Sequence, residues 1–220
     1  MPNGIPLHAQ TVEIPTNGEQ IVGDLRHPEA SRGVVIFAHG SGSGRNSPRN
    51  RQVADGLHAA HFTTLLIDLL TDREQRVDEQ TASLRFNIDL LAERTMIAVD
   101  WVNRYPSLAR LRMGLYGAST GAAAALMTAA ARPQHIAAVV SRGGRVDLAG
   151  PNLLEVQAPT LLIVGERDPQ VRRLNEESQR QLPAAAELAV VPQATHLFAE
   201  PGAMEEVAEL TRKWFTRHLS

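Results

Sequence analysis

Two short stretches, VVIFA at 34–38 and TLLIV at 160–164, constrain the fold of this chain more than any other feature. Apolar runs without alternation suit strands covered on both faces, as in a parallel sheet between helical layers. With these two included, β-type runs lie at 11–15, 20–26, 33–39, 63–69, 113–117, 137–141, 160–165 and 187–191, about eight strands in all. Asn17-Gly18 between the first two is a hairpin signal. Helical segments are expected at 48–60, 85–104, 120–131, 171–181 and 204–219. Pro48 behind a Ser47 cap suits a helix start, and Pro133 falls just past a helix end. A hairpin followed by βα repeats predicts an α/β protein with a mostly parallel, right-handed sheet and helices on both faces.

Composition narrows the class. The 220 residues are enough to bury one substantial core, and 43% are hydrophobic at a net charge of −2. This excludes a disordered chain or a nucleic-acid coat. No run reaches the ~18 apolar residues of a membrane span. Residues 1–10 have neither the basic nor the apolar region of a signal peptide, so a cytoplasmic protein is expected. Cysteine is absent, which excludes disulfides, thiolate metal sites and a cysteine nucleophile.

In open parallel sheets, ligands sit at the carboxyl ends of strands. There the run Gly117-Ala118-Ser119-Thr120-Gly121 reads strand, G-x-S-x-G, helix. A serine on so sharp a turn needs neighbours without side chains two positions before and after it. Ser119 is the candidate nucleophile. The alternative is a tight βα turn in an alanine-rich protein.

A serine hydroxyl needs a base, and the base an orienting acid; in this architecture the order is Ser, Asp/Glu, His. Asp168 follows the TLLIV strand in a loop ahead of a helix, with Glu166 and Asp147 as alternatives. His196 alone of eight histidines falls after Ser119 and Asp168 at a strand–helix junction. His218 reads as solvated, and His8, His27, His58, His61 and His135 as structural or surface residues.

The loop His39-Gly40-Ser41-Gly42-Ser43-Gly44 follows the VVIFA strand. Backbone N–H groups of Ser41 and Thr120 could hold a tetrahedral oxyanion, with Gly42 close behind. His39 is read as shaping this loop. The glycines resemble an anion nest, but the G-x-x-x-x-G-K-[ST] of nucleotide binding is missing.

The segments HGSGSGRNSPRN, YGASTGAAAAL, SRGGRVDL, PTLLIVGERD and ATHLF together resemble the α/β-hydrolase superfamily, in its dienelactone-hydrolase-like branch, over nearly the whole chain. The resemblance implies one hydrolase domain over residues 1–220, with Ser119 as nucleophile, Asp168 as acid, His196 as base, and main-chain donors at Ser41 and Thr120. Chains with the first and third of these segments resemble a hydrolase unit found alone or joined to a phosphoribosyltransferase domain. The type dienelactone hydrolases use cysteine where this chain has Ser119. That departure turns the expectation from dienelactone to small soluble carboxylic esters.

Only residues 142–159 separate the sixth strand from the acid-bearing one, so no lid domain is expected. The cleft should be open, bordered by residues 71–84, and suited to short acyl chains. Of the 22 basic residues, Lys213 is the single lysine. Arg45, Arg49, Arg142 and Arg145 fall in strand-end loops, where they either bind a substrate anion or pair internally, with Asp147 as one partner. Gly42, Arg45 and Arg142 are the candidate substrate-binding residues. No cofactor or metal is required, and the expected partner is a small ester, without nucleic acid or membrane; the sequence is silent on oligomeric state. Thioesters, lactones, amides or acyl transfer would suit the same triad, and a non-catalytic module on this fold is the rival from another class.

Overall fold

A computed structural model describes residues 10–219; the readings of His8 and of the N-terminal stretch lie outside the described residues. The strands β1 (Gln10–Thr16) and β2 (Glu19–Arg26) form an antiparallel hairpin. Its turn places Asn17 and Gly18 at φ 42° and 82°, the pair of positive angles that a type I′ connection demands. β1 alternates exposed and buried residues, because one face meets the core and the other solvent.

The next strands are β3 (Val34–Ala38), β4 (Thr63–Ile67), β5 (Met113–Ala118), β6 (Ile136–Arg142), β7 (Thr160–Gly165) and β8 (Ala186–Val191). They join the hairpin in one eight-stranded sheet of order β1-β2-β4-β3-β5-β6-β7-β8. β2 meets β4 antiparallel, and every later pairing is parallel. β3, β4, β5 and β7 are buried at every position, as their unbroken apolar runs require.

The described residues form six α-helices, five between strands and one after β8: α1 (Pro48–Ala59), α2 (Asp72–Thr81), α3 (Ile88–Arg104), α4 (Thr120–Ala131), α5 (Pro169–Gln179) and α6 (Ala203–Leu219). Two apolar clusters cover the two sheet faces. One joins Leu91, Val99 and Leu115 to the alanines of α4; the other joins Phe37, Leu57 and Tyr116 to Trp214 and Phe215 of α6. Ala122, Ala123, Ala124 and Ala125 are all fully buried. Methyl side chains let α4 lie close against both the sheet and α3, which fixes the helix that begins beneath Ser119.

Two differences from the sequence reading are local. The expected helix over 85–104 is broken. Leu84–Phe86 forms a 3-10 turn, and α3 starts afresh with Asn87 accepting from the Leu90 N–H at 3.1 Å. Helix α2 was not anticipated. Thr71 and Glu74 close it with a reciprocal capping box, at 2.9 and 3.3 Å. The β6–β7 connection folds as short 3-10 turns over Val146–Glu155, kinked at Gly150 and packed against α4 and α5. Among the described residues, no lid domain stands over the carboxyl edge of the sheet. None of the described helices is long and apolar enough to cross a membrane.

Candidate active site

The carboxyl ends of β3, β5, β6, β7 and β8 converge on one polar cleft of about 180 Å³. Its walls include Gly40, Ser41, Arg49, Ser119, Arg142 and His196.

Ser119 sits between β5 and α4 at φ 49°, ψ −120°, outside the comfortable range of an L-residue. Strain of this kind costs about 1–3 kcal/mol and persists only where the surroundings over-determine it. The surroundings do so. The Ser119 N–H donates to the Arg142 carbonyl at 3.1 Å, and its own carbonyl accepts from Arg145 at 3.0 Å and Ala122 at 3.1 Å. A Cβ on Gly117 would lie 2.4 Å from the Ala122 Cα, and one on Gly121 would lie 2.3 Å from the Ala38 carbonyl oxygen. The two glycines of the motif are thus where β5 and α4 touch, and where α4 touches β3.

Asp168 caps α5, its carboxylate accepting from the Val171 N–H at 3.4 Å. The other carboxylate oxygen meets His196 Nδ1 at 2.7 Å. That contact makes Nδ1 the protonated nitrogen and leaves Nε2 free to accept a proton. The alternatives are engaged elsewhere. Glu166 accepts from the Gln193 N–H at 2.7 Å, and Asp147 takes both arms of Arg145. The preceding residue, Thr195, is held by Glu200, which accepts from its hydroxyl at 2.7 Å and its N–H at 3.1 Å. The Ser119 hydroxyl and His196 line the same cleft without a hydrogen bond between them among the described residues. Contacts of this kind often tighten only in the substrate complex.

Neither the Ser41 nor the Thr120 N–H donates to any described residue. Both are thus unspent donors beside the nucleophile, Thr120 at the amino end of α4, where the helix favours negative charge. His39 is buried, with Nδ1 at 2.9 Å from the Gly40 carbonyl and Nε2 accepting from the Leu69 N–H at 3.1 Å. Burial pushes its pKa below the usual histidine value, against the Gly40 carbonyl and Asp68. A neutral imidazole bonded at both nitrogens fastens the 39–44 loop to the end of β4.

The four loop arginines divide. Arg45 is not a cleft residue: it is ion-paired to Asp68 and lies 3.3 Å from Asp24. Arg145 grips Asp147 through two hydrogen bonds at 2.9 and 2.8 Å. Arg49 and Arg142 line the cleft and have no carboxylate partner among the described residues. Gly42 does not line the Ser119 cleft but an adjoining hollow, with Gln75, Asp78 and Arg85; Ser41 and Ser43 line both. The stretch 71–84 therefore borders that hollow rather than the Ser119 cleft. Arg49, one of the four strand-end arginines read from the sequence, was not among the three residues named there for substrate binding. Its position directly after Pro48, in the first turn of a helix leaving the oxyanion loop, was the available signal.

Residues 31–213 match the alpha/beta hydrolase domain family. The chain is 48% identical to the crystal structure of a dienelactone hydrolase from Anabaena variabilis, with a TM-score of 0.95 over 97% of this chain and 99% of that one. Est1E from Butyrivibrio proteoclasticus shares the fold at a TM-score of 0.78 and 14% identity, over 94% of this chain and 98% of that one. Two Mycobacterium tuberculosis proteins named as phosphoribosyl transferases are 50% identical over 214 residues, which are 97% of this chain and 47% of each of theirs. The chain thus spans about half the length of these curated relatives.

Proposed function

Because the chain belongs to the alpha/beta hydrolase domain family, we propose that it is a serine hydrolase that cleaves small carboxylic esters through Ser119, His196 and Asp168. The observation that carries this reading is the strained Ser119 turn, set in one cleft with a histidine whose far nitrogen is bound to a carboxylate.

The reaction runs in two halves. His196 Nε2 takes the Ser119 proton as the oxygen attacks the ester carbonyl. The negative charge passes to the carbonyl oxygen, which rests on the Ser41 and Thr120 N–H groups. His196 then gives its proton to the departing alcohol. Water, activated by the same imidazole, attacks the acyl-enzyme, and Ser119 leaves with the proton returned. Asp168 holds the ring in its tautomer and offsets the imidazolium charge. Each oxyanion donor supplies about 3–4 kcal/mol to the transition state.

The dienelactone hydrolase name of the Anabaena structure and the open, uncapped cleft both favour short soluble esters over long lipids. The phosphoribosyl transferase name belongs to proteins about twice as long and is not carried over to this chain. The test is an ester panel of increasing acyl length, run with wild type and Ser119→Ala. Wild type should turn over the short esters, and the folded variant should lose that activity. Retained hydrolysis in folded Ser119→Ala would end the proposal. Product analysis with an added alcohol separates hydrolysis from acyl transfer, since a transferase forms the new ester in preference to the free acid.

A further inference from the structure

Two arginines in the cleft lack a counter-charge. Arg142 is only 7% exposed, yet its Nε makes no hydrogen bond to a described residue, and no carboxylate lies within ion-pair reach of its guanidinium. Arg94 shows how the same fold treats a buried arginine that serves structure alone: at 4% exposure it is gripped by Glu74 at 2.7 Å and Glu93 at 3.1 Å. Arg142 instead lies over the ring of Phe198, 5.8 Å from its centre. Such a contact engages the flat face of the guanidinium and leaves its hydrogen-bonding edges free.

Arg49 stands beside it, half-buried, its Nε likewise without a partner. Burial and the Arg142 charge together lower its pKa, so the pair is held in mutual repulsion. The groups around it do not relieve this. Glu200 and Glu205 line the neighbouring hollow with Arg49, but neither lies within ion-pair distance of its guanidinium; they accept from Thr195 and, at 3.0 Å, from Gln52. Tyr116 lies within electrostatic reach of both guanidiniums and within hydrogen-bonding reach of Arg142, but burial raises its pKa, so it remains a neutral phenol and supplies no counter-charge. The first turn of α1, with Ser47 and Arg49, adds a helix amino terminus at the same wall.

We propose that Arg49 and Arg142 bind an anionic oxyacid group, a carboxylate or a phosphate, carried by the ester that Ser119 attacks. This rests on the hydrolase reading and names its substrate class. One anion relieves both the burial of the guanidiniums and their repulsion, and forked donors match its oxygens. The small volume of the cleft keeps the anion within a few bonds of the reacting carbonyl.

The test has two arms on the intact protein. Calorimetry with succinate and with inorganic phosphate asks whether an anion binds, and which one; binding should weaken at least about tenfold in Arg49→Gln and in Arg142→Gln. Kinetics compare monomethyl succinate with methyl levulinate, a neutral molecule of nearly the same shape. Wild type should favour the anionic ester by at least about tenfold in kcat/KM, chiefly through KM. In either variant that ratio should collapse towards one, and in Arg145→Gln, whose arginine is held by Asp147, it should persist. Arg49 is half-exposed, so Arg49→Gln remains informative should the buried Arg142→Gln fail to fold. No preference in wild type, or a preference unchanged by both folded variants, overturns the proposal. If neither ester is hydrolysed, the hydrolase reading fails, and the calorimetry still decides the anion site: binding lost in the variants supports it, and unchanged or absent binding refutes it.

Discussion

Asp168 performs two tasks that a single substitution can separate. Its carboxylate caps α5 and also fixes the tautomer of His196. Asparagine is as good a cap as aspartate but offers the imidazole no negative charge. Asp168→Asn should therefore keep its unfolding midpoint within about 0.5 kcal/mol of wild type while kcat falls by about 10³–10⁴. Asp168→Ala should lose the cap as well, at a further cost of about 1 kcal/mol. Equal activity in Asp168→Asn and wild type would remove Asp168 from the mechanism. Gly121 makes the complementary case, in which a residue with no chemistry sets the geometry. A methyl group there must enter the space of the Ala38 and His39 carbonyls. Gly121→Ala should cost about 3 kcal/mol or more in urea unfolding, because backbone rather than a pliable side chain stands in the way. The strand-end residues Ser119, Asp168 and His196 were legible in the sequence because their order and loop positions are written along the chain. The fate of the arginines was not. Arg45, Arg49, Arg142 and Arg145 look alike in sequence, and the carboxylates that neutralise Arg45 come from distant positions, Asp24 within β2 and Asp68 just past β4.

At the scale of elements, burial on both faces explains why the strands could be read from sequence. An inner parallel strand has no polar face, so its apolar run survives as a continuous word such as VVIFA. Helix α2 was missed for the opposite reason: its ten residues, DREQRVDEQT, bury only Asp78 and carry no apolar stripe. What holds it is local, the Thr71–Glu74 capping box at one end and Asp78 at the other. Asp78 accepts from the Leu84 and Arg85 N–H groups and pairs with the Arg85 side chain. A Thr-x-x-Glu pattern was the only sign of it in the sequence. Thr71→Ala should cost about 1 kcal/mol of stability in chemical unfolding and leave ester turnover in place, since α2 borders the second hollow and not the Ser119 cleft. A loss of turnover in folded Thr71→Ala would mean that α2 shapes the catalytic cleft after all. The break at Asn87 escaped notice because the apolar periodicity runs on through it, while one side-chain cap decides where α3 begins.

At the scale of the whole molecule, four histidines among the described residues (His27, His39, His58 and His218) are held below their ordinary pKa, in each case first by burial. On unfolding they regain a value near 6.5 and take up protons that the folded protein refuses. Stability should therefore be full above pH ~6.5 and decline as the pH falls through that value towards the depressed folded values. Melting temperatures measured from pH 8 down to 5.5 should show this decline, and a flat profile would contradict it. The sheet, its two helical layers and the short β6–β7 connection leave the carboxyl edge open, and the hydrolase reading depends on one hydroxyl there, that of Ser119. The most direct measurement is labelling of the intact protein with a fluorophosphonate, followed by peptide mass spectrometry. The account predicts a single phosphonylated residue, Ser119, formed at a rate that drops sharply in His196→Ala. A folded protein that hydrolyses short esters yet carries the label elsewhere, or none, would contradict it.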